Sequence, residues 1–280
     1  MAGGGAVTRD SDAAHQWHLL HRAAMATAMT FRLLPRRRRF AAAQLLARAA
    51  GPFFRGTGAY QAHQQSNIDG AAEIALHFVT NALTVNGTVF EPVVAIEGYD
   101  EFRRLCRGGR GVLLVQPHAV LTHLQFRIFH DDGLDPVGVN ADRHMRIAGT
   151  TIPAHPLVPS RTFLVRARSL LREGRLVCAM LDRGEHSADR TVEVETANGP
   201  VIVAPALLQV ACRCQARVAF TEVHVDGRRV AGRIVLASSD SAEGLTREFG
   251  DFVRTHVAAR LARTGSPTAV APERLTGAER

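Results

Sequence analysis

Apolar positions near the middle of the chain recur as Phe163, Leu164, Ala167, Leu170 and Leu171. That i, i+1, i+4, i+7, i+8 stripe predicts an amphipathic helix over 161–173, with Ser160 as its cap and Gly174 as its stop. A different pattern fills 111–116, Gly-Val-Leu-Leu-Val-Gln, bounded by Gly108-Gly109 and Pro117. A short apolar run between Gly and Pro predicts a strand buried on both faces. The same reasoning predicts strands over 93–96, 136–139 and 175–181, the last ending at Asp182. It also predicts a hairpin of 218–225 and 230–236 through Asp226-Gly227. Helical spacing predicts helices over 69–86, 99–107, 120–129, 206–213 and 242–263.

Before these elements, residues 13–51 read as helices broken at Pro35 and stopped by Gly51-Pro52. Strands alternating with helices predict an α/β fold, a mixed central sheet with helices on both faces and an N-terminal helical segment over 13–90. Residues 13–263 form a single domain in this reading. Residues 1–12 and 264–280 lack any apolar period and are expected to be disordered tails.

A chain of 280 residues, 46% of them hydrophobic, can bury a full core. No run approaches the ~18 apolar residues of a membrane span. The charge of +8 carries a sharper message, because all 34 cationic side chains are arginine. Without lysine there is no Schiff-base chemistry and no P-loop lysine. The basic excess suits an acidic carrier protein or an anionic lipid surface. Nucleic acid is set aside, since aromatics are 6% of residues and no recognition motif is present. An apolar helix beside Arg36-Arg37-Arg38-Arg39 also suits a lipid interface, although an ordinary core helix with a solvated arginine turn reads the same way. Cys106, Cys178, Cys212 and Cys214 show no metal or redox spacing, so buried free thiols and a reducing compartment are expected.

Candidate chemistry begins at His118, two residues beyond the buried strand, where open α/β sheets gather ligands at their carboxyl edge. An imidazole there can take a proton near neutral pH if its ring is held in one orientation. A helix starting near Ala119 would aim free amide N–H groups at the same place. Asp182 stands at the end of another expected strand. Arg143 and Arg161 follow further expected turns, and either guanidinium could bind phosphate oxygens bidentately. No spacing supports a metal site formed by His118 with His144, His155 or His186.

The stretch from Glu91 to His123, with Val94-Ala-Ile-Glu-Gly98 and Gly109-Arg-Gly-Val-Leu-Leu-Val-Gln-Pro-His118, resembles the lipid A late acyltransferase family of the glycerolipid and lysophospholipid acyltransferase superfamily. Leu171-Arg-Glu-Gly-Arg-Leu-Val-Cys-Ala-Met-Leu-Asp182-Arg183 resembles a second element of that family, and 199–208 a third. The likeness covers roughly residues 31–236. It implies acyl transfer from an acyl-carrier-protein or coenzyme A thioester to a hydroxyl or amine, with no bound cofactor. His118 would be the general base, Asp182 a residue of the same cleft, and Arg143, Arg161 and Arg183 substrate contacts. A cytoplasmic protein, peripheral on the inner membrane, is implied as well.

Five positions after its histidine the family carries Asp or Glu, and this chain carries His123. A neutral imidazole can orient the ring of His118 but adds no negative charge. Losing the carboxylate from such an arrangement costs roughly 10⁴ in rate, about 5 kcal/mol. Three readings stay open. Asp182 supplies the charge, or the acceptor is an amine that asks less of the base, or the chain is a homologue that binds an acyl chain without chemistry.

Overall fold

The structure, a computed structural model, describes residues 27, 30–54, 71–85, 88–90, 94–117, 119, 121–139, 144–147, 150–153, 155–157, 162–181, 192–196, 199–226 and 229–258. Two helices come first, α1 (Arg36–Phe54) and α2 (Ala71–Val85). Then follow β1 (Val94–Glu97), α3 (Tyr99–Arg107), β2 (Val112–Gln116), α4 (His123–Asp131) and β3 (Val137–Val139). Three short strands come next, β4 (His144–Ile147), β5 (Thr150–Pro153) and β6 (His155–Leu157), before α5 (Phe163–Arg172) and β7 (Leu176–Met180). The chain continues through β8 (Val192–Thr196), β9 (Gly199–Val203), α6 (Ala206–Arg213), β10 (Arg217–Asp226), β11 (Arg229–Leu236) and α7 (Ala242–Phe252). A wider helical turn, Val253–Ala258, extends α7.

Seven strands form one sheet in the order β1-β11-β10-β2-β7-β3-β6. Strands β10, β2, β7, β3 and β6 run parallel, β11 is antiparallel to β10, and β1 is parallel to β11. The fold is therefore α/β with a mixed central sheet. Pairs β4–β5 and β8–β9 stand apart as two-stranded hairpins.

Side chains alternate across β2, and the alternation sorts the core. Val112 and Leu114 join a cluster with Phe40, Ala43 and Ala47 of α1, Ile74, Leu76 and Leu83 of α2, Phe102 of α3, and Phe126 and Phe129 of α4. Leu113 and Val115 join the opposite cluster with Ala167 and Leu171 of α5, Leu207, Leu208 and Ala211 of α6, and Leu245, Phe249 and Phe252 of α7. Helices thus cover both faces. Gly111 is needed at the start of β2 because a Cβ there would collide with the backbone of Leu171. Gly174 ends α5 in the left-handed conformation, φ 78°, which a side chain would resist.

Several boundaries differ from the sequence reading. Helix α1 does not stop at Gly51; it continues through Pro52 to Phe54. Pro52 is exposed in the last turn, so its missing N–H costs little buried hydrogen bonding. Helix α4 starts at His123 rather than 120, because 121–122 are taken up by a turn. Thr162 occupies the cap position of α5 without capping it through its side chain, and Ser160 lies outside the described residues. The expected 242–263 helix keeps its regular pitch only to Phe252. Strands β4, β5, β6, β8 and β9 were not expected. Strands β4, β5 and β6 are only three or four residues long, whereas the alternating Val192-Glu-Val-Glu-Thr196 of β8 was a strand signal left unread. The tails expected at 1–12 and 264–280 lie outside the described residues.

Phe129 is fully buried and sits 5.6 Å from Phe102, 6.1 Å from Tyr99 and 6.2 Å from Phe126, ring centre to ring centre. Phe129→Ala leaves a cavity under β2 and is expected to cost roughly 3–5 kcal/mol. Chemical denaturation with an unchanged slope and a lower midpoint is the check.

Candidate functional site

Four parallel strands lie side by side, β2, β7, β3 and β6, so their carboxyl ends share one edge of the sheet. Gln116 of β2 pairs with Met180 of β7, which brings the two ends to the same level. In sequence, His118 follows β2 by two residues and Asp182 follows β7 by two, with Arg183 next. Arg143 comes four residues after β3 and Arg161 four after β6. His118, Arg143, Arg161, Asp182 and Arg183 themselves lie outside the described residues, as does His186. His123 is the first residue of α4, and its side chain lies outside the described set.

Beneath this edge, on the face covered by α4, lies a neutral hydrogen-bonded chain. The Thr221 hydroxyl on β10 donates to Gln125 Oε1 on α4 at 3.1 Å. Gln125 Nε2 in turn donates to Gln116 Oε1 in a short bond. All three side chains are buried. Three of the amides at the start of the helix are already bonded. Thr122 N–H bonds Ala119 O at 3.2 Å, Leu124 N–H bonds Leu121 O at 3.0 Å, and Gln125 N–H bonds Thr122 O at 3.2 Å. Successive tight turns consume those donors before the helix settles into its regular pattern. The buried Thr122 hydroxyl, by contrast, has no hydrogen-bond partner.

The opposite face carries charge. Strand β10 runs past the end of β2, because Val115 pairs with Phe220 and β2 stops one residue later. Glu222, Arg233 and Glu97 stand opposite one another on β10, β11 and β1, which places them on one face. Arg233 Nε donates to Glu97 Oε2 at 2.8 Å, and Glu222, only 5% exposed, lies 3.6 Å from His224 Nδ1. On the other face of the overhang, the buried Glu73 of α2 accepts the Val225 N–H at 3.3 Å. That bond satisfies a backbone donor left without β2.

His256, on the turn that extends α7, meets this row through Arg233 Nη1 at 2.7 Å from its Nδ1. A guanidinium only donates, so Nδ1 accepts and the ring is neutral with its proton on Nε2. Burial lowers the affinity of His256 for a second proton, Arg233 lowers it further, and Glu97 offsets part of this.

Two of the cysteines are poor nucleophiles. Burial pushes the Cys106 thiol up to about 12 and the Cys178 thiol well above its ordinary range. Only Cys178 is fully buried; the other three are partly exposed, contrary to the expectation for all four. Each sits where strand or helix faces meet the rim of a core cluster rather than its centre. Among the described residues no three His, Cys, Asp or Glu side chains gather to hold a metal ion. No described helix is long and apolar enough to cross a membrane.

Comparison with known proteins leaves the site without a template: no protein-family model matches the chain. A search of curated proteins likewise returned no match. Sequence reasoning overlooked Gln125, Thr221, Glu222, His224, Arg233 and His256. A signal was present for part of this, since Thr221-Glu-Val-His224 places polar groups inside an otherwise apolar strand.

The depressed His256 fixes a sign for pH. The unfolded ring binds a proton near pH 6.5, while the folded ring resists it. Stability from this group is therefore complete above about pH 6.5 and is lost as pH falls toward the lower folded value. His256→Gln is expected to flatten the fall in melting temperature between pH 7 and pH 5. An equally steep fall in the variant would assign the acid sensitivity elsewhere.

Proposed function

We propose that the protein is an acyltransferase that moves an acyl chain from an acyl-carrier-protein or coenzyme A thioester to a hydroxyl or amine of a lipid or biosynthetic intermediate. The observation that carries this reading is the Gln116–Met180 pairing. It makes the chain segments bearing His118 and Asp182 leave neighbouring parallel strands at one level of the carboxyl edge. A carboxylate from β7 is then available to a histidine after β2 without any acid at position 123. Open α/β sheets place ligands at this edge.

In the proposed reaction His118 takes the proton of the acceptor hydroxyl or amine as its oxygen or nitrogen bonds the thioester carbon. The carbonyl π pair moves onto oxygen. When that pair returns, the carbon–sulfur bond breaks, and the leaving thiolate recovers the proton from the imidazolium as a free thiol. Asp182 stabilises the imidazolium between the two steps. Arg143, Arg161 and Arg183 follow strands of the same edge and would meet the phosphates of the donor or acceptor. Purified protein incubated with acyl thioesters and amphiphilic acceptors should release thiol, and His118→Ala should lower that rate roughly 10²–10⁴-fold. Asp182→Asn should also slow it. Thiol release that survives intact in His118→Ala would remove the proposed base.

An amphiphilic acceptor fits the outer surface of α1. Arg39 is occupied within the fold, donating to the carbonyls of Leu34, Arg32 and Val89. Arg36, Arg37 and Arg38 face solvent, and Leu33 and Leu45 are 85% and 60% exposed. No acid occurs in α1, so its outer side offers leucines and guanidinium groups together, the chemistry of an anionic lipid surface. Sedimentation with phosphatidylglycerol vesicles should retain the protein at low salt, with Leu45→Asp and Arg38→Glu each weakening retention. Equal retention of Leu45→Asp would exclude this face.

A further inference from the structure

Two polar side chains meet the carboxyl edge on the same side of the sheet, each with a donor that no described residue accepts. Gln116 is 2% exposed, and its Nε2 has no partner among the described residues, because its only hydrogen bond is the one its Oε1 accepts. The Thr122 hydroxyl is likewise buried and unpartnered. A buried hydroxyl without a partner costs about 1–3 kcal/mol, so Thr122, on the same helix as the Gln125 that holds Gln116, asks for a ligand.

Their arrangement is held from behind. Gln116 and Thr221 lie on the α4 side of adjacent strands, and Thr122 and Gln125 are three apart with helical backbone at Thr122, so they share one side of α4. Thr221 donates to Gln125, and Gln125 donates to the oxygen of Gln116. That direction turns the Gln116 amide so that its NH₂ is the free end. Beside it on β7, Met180 is 36% exposed at the tip of a strand otherwise buried, an apolar surface at the same level.

We propose that Gln116 Nε2–H and Thr122 Oγ1–H form the donor pair that receives the thioester carbonyl oxygen, with Met180 against the first carbons of the acyl chain. The inference rests on the acyl-transfer reading and names the part of that site which the turn-bound amides of α4 leave unfilled. As the acceptor bonds the carbonyl carbon, the π pair becomes an oxyanion between these two donors. When the carbon–sulfur bond breaks, the carbonyl re-forms and the donors relax to ordinary hydrogen bonds. Donors fixed in place beforehand stabilise the oxyanion more than the starting carbonyl, which is the condition for catalysis. Gln125 and Thr221 are positioning residues that set which end of the Gln116 amide faces the substrate.

The decisive variant is Gln116→Glu. Its carboxylate keeps an oxygen for Gln125 Nε2 and replaces the free NH₂ by an acceptor; burying that charge is costly, so turnover is read only on variant protein whose melting curve shows it folded. Turnover should fall about 10²–10³-fold, the usual loss for one such donor, with KM within about threefold. Thr122→Val should lower kcat in the same direction, and Thr221→Val by less. A second readout does not need turnover. Infrared spectra of a bound acyl-coenzyme A labelled with carbon-13 at the thioester carbonyl should show the stretch shifted down in wild type. The shift should be lost in folded Gln116→Glu. A variant that keeps both kcat and the shifted stretch overturns the donor pair. A wild type that binds the thioester with the shift but releases no thiol overturns the acyl-transfer reading and leaves the donor pair standing. No shift in the wild type, or no binding, overturns the donor pair.

Discussion

Strand β2 is hydrogen-bonded to a parallel partner on each side and buried on each face, so its register has no freedom. A slip of one residue would carry Val112, Leu114 and Gln116 into the α5–α7 layer and Leu113 and Val115 into the α1–α4 layer. Both cores would lose their fit at once, and Gln116 would be torn from Gln125. Every candidate group at the carboxyl edge is positioned relative to this one ladder. Gly111, wedged against Leu171, pins its start.

From that ladder the two faces of the edge acquire different chemistry. On the α4 side the groups next to β2 are neutral, two amides and a hydroxyl in series with a second hydroxyl nearby, and the carboxylate of Glu73 stands further along β10. On the α7 side they are ionic: Glu97, Arg233 and Glu222 across three strands, with His224 and His256 against them. Burying Glu222 alone would be costly, and alternating charges across the row offset that cost rather than add stability. Neutral donors cost less to bury and still act strongly on a charge that appears only during reaction, because the surroundings are poorly polarisable. The two layers therefore suit different duties, one for holding strands β1, β11 and β10 together past the end of β2, the other for meeting a substrate.

Much of the scaffold was legible in the residues. Val112–Gln116 and Leu176–Met180 were expected from unbroken apolar runs, Tyr99–Arg107 and Ala206–Arg213 match to the residue, and the Asp226 hairpin was marked by its turn. The edge strand β6 was not, since what makes it a strand is pairing with β3 rather than any local pattern. The network at the edge was illegible for the same reason. Thr221 and Gln125 are 96 residues apart, and no spacing along the chain announces a contact of that length. His118 and Asp182 were read from the residues around them, and their strands, not their side chains, are what the structure describes.

The position of α4 changes how the spacing from His118 to His123 should be understood. Residues 121–122 form a turn and the helix opens at His123 itself, so 118 and 123 are not two positions on one helical face. Five residues of separation therefore do not by themselves stack an acid on a base. Adjacent parallel strands do so more directly, because consecutive strands lie about 4.8 Å apart and residues just beyond their paired ends emerge together. With β2 and β7 ending in register, the proposed base and acid follow strand ends that stand side by side. Histidine at 123 in place of an acid is then compatible with a working charge arrangement, provided the carboxylate is drawn from the neighbouring strand. In the proposed site the oxyanion would, in the same way, meet donors from a side chain of β2 and the residue before α4.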